Sequence, residues 1–394
     1  MKNCAEATLK EHGLAFSSVR TAGTYRRLVL IIEDVPEKSE GQIKELTGPP
    51  FRLLRDGKGE FTPQSLGFAR AHGEKPENIK AVNSPKGEVM GIQKVIPGEP
   101  ALKILSSVFG QIMSSLKFPK NMVWESSQFR FARPVRSIAA LYGNKTVPLN
   151  IAGVKSGRLT SGLSALGSKT MRITDASKYL KMLEAECVIA DPSARKHMLT
   201  KLLEQTGRRM KLQAEPDEAL TDETVYLTEH PVPVTGHFSL RFLKLPDHLL
   251  STVMKKQLKF FPVRDSDGLI QPHFIAIRDG VSDNQKEVQE GFQNVVEARL
   301  TDAVFFYEKD IAASLETFRE KLKGIVFQEK LGTLYDKTLR VEAIVRLLCD
   351  KTAAGVDRAA AEEAASLCYC DLTSEVVREF PELQGYMGAD YAER

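Results

Sequence analysis

The chain has 394 residues, 42% of them apolar, with 55 Lys and Arg against 51 Asp and Glu for a formal net charge of +4. That length exceeds what one hydrophobic core usually holds, so two or three domains are expected, and the composition is that of an ordinary soluble globular protein. No apolar run approaches the roughly 18 residues of a membrane span, and MKNCAEATLKEHG lacks the apolar core of a signal peptide, so the cytoplasm is the default location.

In chain order, YRRLVLIIEDV (Tyr25 to Val35) is rich in β-branched residues and predicts a strand. TPQSLGFARAHG (Thr62 to Gly73) predicts a short helix ended by glycine. Residues 74–100, with Pro76, Pro85, Pro97 and Pro100, read as connection with short strands and place a soft boundary. RSIAALYG and KTVPLNIAGV suggest paired strands. LPDHLLSTVMKKQ predicts a helix leading into KFFPVRDSDGLIQPHFIAIRDG, a hairpin at 259–277 that turns at Asp265 to Gly268.

After Asp283, Val288, Phe292, Val295, Leu300, Val304, Tyr307, Ile311, Leu315, Phe318, Leu322 and Ile325 form a helical stripe with a break near Asp310. Everything from there to Arg394 reads as helical. Pro381 ends one helix and can start the next. The expected fold class is α+β and multidomain: an N-terminal α/β region at 1–100, a mixed α/β basic region at 101–284, and an all-helical region at 285–394.

Charge is unevenly distributed. From Ala101 to Arg172 there are eleven basic residues against one acid, Glu125, whereas from Val341 to Arg394 eleven acids face five basic residues. A positive segment can attract a phosphate backbone by releasing its counterions; the competing reading is a solvated basic face. Arg130, Arg133 and Arg136 recur around FARPVR at the centre of this segment, where arginine suits phosphate contact or base stacking. Alternatively, Arg133 and Arg136 hold carboxylates within the domain. Lys255, Lys256 and Lys259 form a second basic cluster at the helix-to-hairpin junction. Arg26 and Arg27 face opposite sides if their stretch is a strand.

The five cysteines, Cys4, Cys187, Cys349, Cys368 and Cys370, show no CxxC spacing, so neither a disulfide framework nor a zinc site is suggested. No Walker loop, GxGxxG or nucleophile elbow is present to activate a nucleotide or an acyl group.

Five stretches in order carry a family resemblance: WESSQFRFARPVRSIAALYG, MKKQLKFFPVRDSDGLIQPHFIAI, EARLTDAVFFYEKD, FQEKLGTLYDK and CDLTSEVVREFPELQGYMGADYA. Together they resemble the β subunit of the bacterial heterotetrameric glycyl-tRNA synthetase, with weaker matches at TYRRL, Gly48-Pro49 and FTPQSLGFAR. The resemblance implies an accessory, tRNA-binding subunit of an α2β2 assembly. The α subunit then activates glycine, with ATP and Mg expected there and no cofactor bound by this chain; the RNA partner is tRNA(Gly), and no membrane is involved.

It also implies a partial family member, lacking a region before Met1 and, after Arg394, the rest of an HD-like helical domain and an anticodon-binding domain. On that expectation Val376, Val377, Phe380, Leu383 and Met387 have lost their packing partners and leave apolar surface exposed. An active HD hydrolase needs His and Asp ligands, yet none of the seven histidines follows Asp283, and Asp371 reads as a capping or surface acid. Two other readings remain: a structural docking partner of the α subunit without RNA contact here, and a degenerate HD-type phosphohydrolase. The chain departs from the family pattern at Gly162 to Ala165, Gln257 to Phe260 and Phe292 to Asn294. By contrast, Arg299 and Asp302 match it and suggest a helix-surface salt bridge.

Overall fold

The computed structural model describes residues 1–84, 87–351 and 355–394, and the side chains of all of these except 42–44, 84, 95 and 96. They form two compact units, Met1–Gly162 with Lys169–Ala185, and Leu163–Ser168 with Glu186–Arg394.

In the first unit, α1 (Lys2–Glu11) precedes the antiparallel hairpin of β1 (Ser18–Thr24) and β2 (Arg27–Glu33), with Tyr25 and Arg26 in its turn. Next come β3 (Gln42–Pro50), α2 (Pro63–His72), β4 (Lys80–Ser84) and β5 (Gly87–Ile96). The local chemistry of α2 is that expected from its sequence: Thr62 Oγ1 accepts the Ser65 N–H, Pro63 opens the first turn, and Gly73 closes it at a φ of +68°.

The stretch read as connection with short strands does supply strands, β4 and the central β5 of an antiparallel sheet ordered β3–β5–β4, packed through Phe68, Ala69, Ile79, Met90 and Ile92. What the local reading does not reveal is the ten-residue length of β5 and its pairing with β3, which lies more than thirty residues earlier. Pro85, one of the prolines noted there, lies outside the described residues.

Helix α3 (Ala101–Ser115) buries Ala101, Ile104, Leu105, Val108 and Ile112, a helical spacing, against Ala5, Leu9 and Val19. Residues 116–137 then run without regular structure apart from one bridge between Met122 and Phe131. Short strands follow: β6 (Ile138–Ala139), β7 (Leu141–Tyr142), β8 (Lys145–Thr146), β9 (Asn150–Ile151), β10 (Val154–Gly157), β11 (Leu159–Ser161) and β12 (Thr170–Arg172). They pair as β7–β8, β6–β10–β9 and β11–β12, and α4 (Tyr179–Ala185) completes the unit.

The second unit is built on α5 (Pro192–Met210), β13 (Gln213–Ala214), α6 (Glu218–Leu227), β14 (Pro231–His237), α7 (Asp247–Thr252), β15 (Phe261–Arg264) and β16 (Ile270–Asp279). The strands form an antiparallel sheet ordered β13–β15–β16–β14. Strand alternation sorts its two faces: Ile275 packs with Leu199, Leu203, Leu220 and Val225 of α5 and α6, while Phe274 and Ala276 point into the opposite core. In the turn joining β15 and β16, Asp265 Oδ1 accepts the N–H groups of Asp267 and Leu269, and Gly268 takes a φ of +80°.

Helix α8 (Gln285–Ile311) covers that second face with Val296, Leu300 and Ala303. It is followed by α9 (Leu315–Lys321), β17 (Val326–Gln328), β18 (Gly332–Thr333), α10 (Leu334–Lys351), α11 (Arg358–Leu367), α12 (Glu375–Glu379) and α13 (Tyr386–Glu393). The β17–β18 hairpin corrects the all-helical expectation after Asp283. Gln328 Oε1 accepts the N–H groups of Lys330 and Leu331, and Gly332 adopts a φ of +79°, so the turn is closed by local side-chain bonds.

The end of the chain also differs from expectation. Val376, Val377, Phe380, Leu383 and Met387 are buried, in one core with Leu249, Val296 and Leu300. Their packing partners come from α7 and α8, contacts that a local stripe does not reveal. Asp310 Oδ1 and Oδ2 accept the N–H groups of Glu375 and Val376 at 2.8 and 2.9 Å, capping α12 from across the core. Asp371 Oδ2 accepts those of Gly385 and Gly388 at the start of α13. Asp371 is thus a capping residue, but a buried one; burial pushes its carboxyl up despite the two backbone donors. Among the described residues no helix is long and apolar enough to cross a membrane.

Candidate nucleic-acid interface

The segment between α3 and β6 contains the FARPVR motif. Pro119 and Pro134 remove two backbone donors, and the turn between them is organised by Glu125, the one acid between Ala101 and Arg172. Its carboxylate accepts the N–H of Ser127 at 2.7 Å, the N–H of Phe129 at 3.3 Å and the Ser127 hydroxyl. The bonds from Ser127 hold this carboxyl below the usual range. The turn sets Met122 opposite Phe131, each donating its N–H to the other's carbonyl, at 2.8 and 3.2 Å. Glu125 therefore spends its charge on the loop backbone and forms no ion pair among the described residues.

Four half-buried rings pack along the loop. Phe118 meets Phe131 edge to face with centroids 4.8 Å apart, Phe129 lies nearly parallel to Phe131 at 6.0 Å, and Trp124 stands at 85° to Phe129 at 6.3 Å. Arg130, Arg133 and Arg136 are all exposed. None of the three, nor exposed Lys117 or Lys120, enters an ion pair among the described residues. Arg133 donates to the Ala132 carbonyl at 3.0 Å and to Met122 Sδ at 3.9 Å. The carboxylate-holding alternative for Arg133 and Arg136 therefore has no counterpart among the described residues. The resulting surface is cationic and aromatic-backed, with Glu125 turned onto the loop backbone and the three arginines in no ion pair among the described residues.

The second cluster is arranged differently. Lys255 Nζ bonds Glu215 and lies 3.2 Å from Asp217, with only 16% of its side chain exposed. Glu215 also takes Arg264 at 2.7 Å and Ser251 Oγ at 3.2 Å. Burial raises the Glu215 carboxyl, but the bonds from Lys255 and Arg264 outweigh it and hold the group below its ordinary value. Lys259, at a φ of +59°, pairs with Glu223 at 2.9 Å. Lys256 alone of the three is exposed and enters no ion pair among the described residues. Most of this cluster's charge is thus used inside the fold, by acids far away in sequence.

The other singled-out residues are structural in their surroundings. Arg26, in the turn, and Arg27, which opens β2, donate to the carbonyls of Gly162 and Ser161 at 2.9 and 3.0 Å. Phe260, in one of the divergent motifs, is buried against Phe274, centroids 4.9 Å apart and 12° from parallel, and Gln257 donates to Glu379. Arg299 and Asp302 stand 3.9 Å apart on the surface of α8. His230 bonds the Gly280 carbonyl at 2.7 Å, and the His248 ring lies 4.1 Å from that of Tyr386. Among the described residues no three His, Cys, Asp or Glu side chains converge as a metal-binding group.

Residues 1–394 match the family model described as glycyl-tRNA synthetase beta subunit, which sets the class: a component of aminoacyl-tRNA synthetases. The glycine–tRNA ligase beta subunit of Bacillus subtilis (strain 168) is 37% identical over 386 residues, covering 98% of this chain and 56% of the relative. That of Clostridioides difficile (strain 630) is 34% identical over 392 residues, covering 100% and 57%. That of Dictyoglomus turgidum (strain DSM 6724 / Z-1310) is 34% identical over 380 residues, covering 96% and 55%. The chain belongs to the glycyl-tRNA synthetase beta subunit family, and it spans a little over half the length of these relatives.

Proposed function

We propose that this chain is an accessory, tRNA-binding part of a glycyl-tRNA synthetase. It supports the ATP-dependent attachment of glycine to tRNA(Gly) by an α subunit in a cytoplasmic α2β2 assembly. ATP and Mg belong to the α subunit on this reading, and the helical region at 285–394 is HD-like by resemblance alone. The observation that carries the RNA-binding role is the loop at 116–137, where Arg130, Arg133 and Arg136 are exposed and free of ion pairs among the described residues. Exposed guanidinium groups outside any ion pair neutralise phosphates at little desolvation cost. Lys256 adds one further available cation, whereas Lys255 and Lys259 would have to leave carboxylates to contribute.

The test is tRNA(Gly) binding across a salt series, with and without the α subunit. Each phosphate contact contributes about 0.7 to 0.9 to the slope of log affinity against log salt. Replacing the three arginines by alanine is therefore expected to flatten that slope by about 2 to 3, and an unchanged slope refutes their role. A second reading, docking of the α subunit without RNA contact here, is favoured by the exposure of Ile344 and Leu347 on α10, at 56% and 60%. Binding of the α subunit with no tRNA affinity at low salt would select it.

A further inference from the structure

We propose that the 116–137 loop takes unpaired RNA bases, stacking them at the corner formed by Trp124 and Phe129 while Arg130 and Arg133 hold the flanking phosphates. The inference rests on the RNA-binding reading and narrows its substrate from RNA in general to single-stranded RNA.

A surface that grips only the backbone of a duplex needs cations and nothing else. This loop has more. Met122 and Val123 are 42% and 44% exposed, so apolar area stands in water beside the arginines, with Arg133 within 3.9 Å of Met122 Sδ. Trp124 and Phe129 are set at 85° to each other and keep part of their surface accessible, while Phe131 lies nearly parallel to Phe129 and itself packs on Phe118. Two half-open rings at nearly a right angle offer one face on which a base can stack and a second ring to meet its edge. Within a duplex every base face is already covered by its neighbours; an unpaired base has a face to offer, and cations beside aromatic rings are how such bases are held. Glu125, the one acid of the loop, is half-buried and turned onto the N–H groups of Ser127 and Phe129. The same bonds fix the position of the Phe129 backbone, so the corner is formed before any ligand arrives.

Trp124 is the only tryptophan in the chain, so tryptophan fluorescence, excited selectively beyond the tyrosine absorption, reports on this corner alone. The experiment titrates the 394-residue chain with a single-stranded RNA oligonucleotide and with a blunt RNA duplex of the same nucleotide count. Fluorescence is followed together with the anisotropy of labelled RNA. The single strand is expected to quench Trp124 and to bind about tenfold more tightly than the duplex. Phe129→Ala is expected to weaken the single strand about tenfold and leave the duplex unchanged. Met122→Gln, at an exposed position that the fold tolerates, is expected to lower single-strand affinity severalfold, and Trp124→Phe to retain it. Equal affinities without quenching, or equal losses for both RNAs in Phe129→Ala, would overturn the inference and leave phosphate contact standing. Failure of both RNAs to bind would remove the underlying RNA-binding reading as well.

Discussion

Lys255→Met separates an ion pair that builds the fold from a cation that meets RNA. The substitution keeps most of the aliphatic stem and removes the ammonium that sits between Glu215 and Asp217, where both Lys255 and Glu215 are only 16% exposed. Removing one partner of a buried pair costs about 3–5 kcal/mol when the other is left alone. Here Glu215 keeps Arg264 at 2.7 Å and Ser251 at 3.2 Å, while Asp217 is partly solvated and still accepts the Leu220 N–H at 2.8 Å. The expected loss is therefore about 2 kcal/mol. With a urea slope of roughly 2–3 kcal/mol per molar for a unit of this size, the unfolding midpoint should fall by a little under about 1 M. Far-UV circular dichroism follows the loss of helix, and RNA affinity is measured well below the transition. The opposite pattern, unchanged stability with a loss of RNA affinity matching that of Arg133→Ala, would refute the structural role and restore Lys255 as an RNA contact.

Two further outcomes test the buried chain end. The folded-state pKa of Asp371 is raised above its ordinary 3.8, so its stabilising contribution is complete below that value and is lost as pH rises through the folded pKa. Asp371→Asn keeps an oxygen for Gly385 and Gly388 but cannot ionise. Its stability relative to the natural chain should rise with pH across that window, and parallel stability-versus-pH curves for the two proteins would show that the charge does not matter. Phe380→Ala removes a ring that is 3% exposed from the main core and should cost about 3–4 kcal/mol. Limited proteolysis should leave residues 375–394 intact in the natural chain and trim them in the variant; trimming of both would contradict the burial of this end.

What was legible in the sequence was local. Thr62, Pro63 and Gly73 specify their helix by side-chain and backbone chemistry within a dozen residues, and Asp265 to Gly268 do the same for the β15–β16 turn. What was missed depends on distant partners. Nothing near Lys255 announces Glu215, forty residues earlier, and nothing near Phe380 announces Leu300 of α8. Strands were legible in the stretch that holds β5, but its length and central place in the sheet depend on β3 and β4, which no local pattern reveals. At the candidate site the residues were legible and their availability was not. Three arginines spaced by three carry no sign of whether acids surround them, and the answer lay partly in Glu125, whose Ser127 neighbour two positions on suggests a local turn.

The two aspartate caps at the chain end bear on the order in which the molecule assembles. Helices α12 and α13 are five and eight residues long, too short to persist alone in water. Each is started by a carboxylate from an earlier element: Asp310, sixty-five residues before the first amide it holds, and Asp371, fourteen before its own. These helices therefore have no independent existence and close onto a surface that α8 must already have laid down. Tyr391 on α13 donates to the same Asp310 that caps α12, so opening either helix loosens the other. Glu375, Val376, Gly385 and Gly388 should accordingly exchange their amide hydrogens together, as one latch released in a single step, and separate exchange rates would show that the two caps act alone.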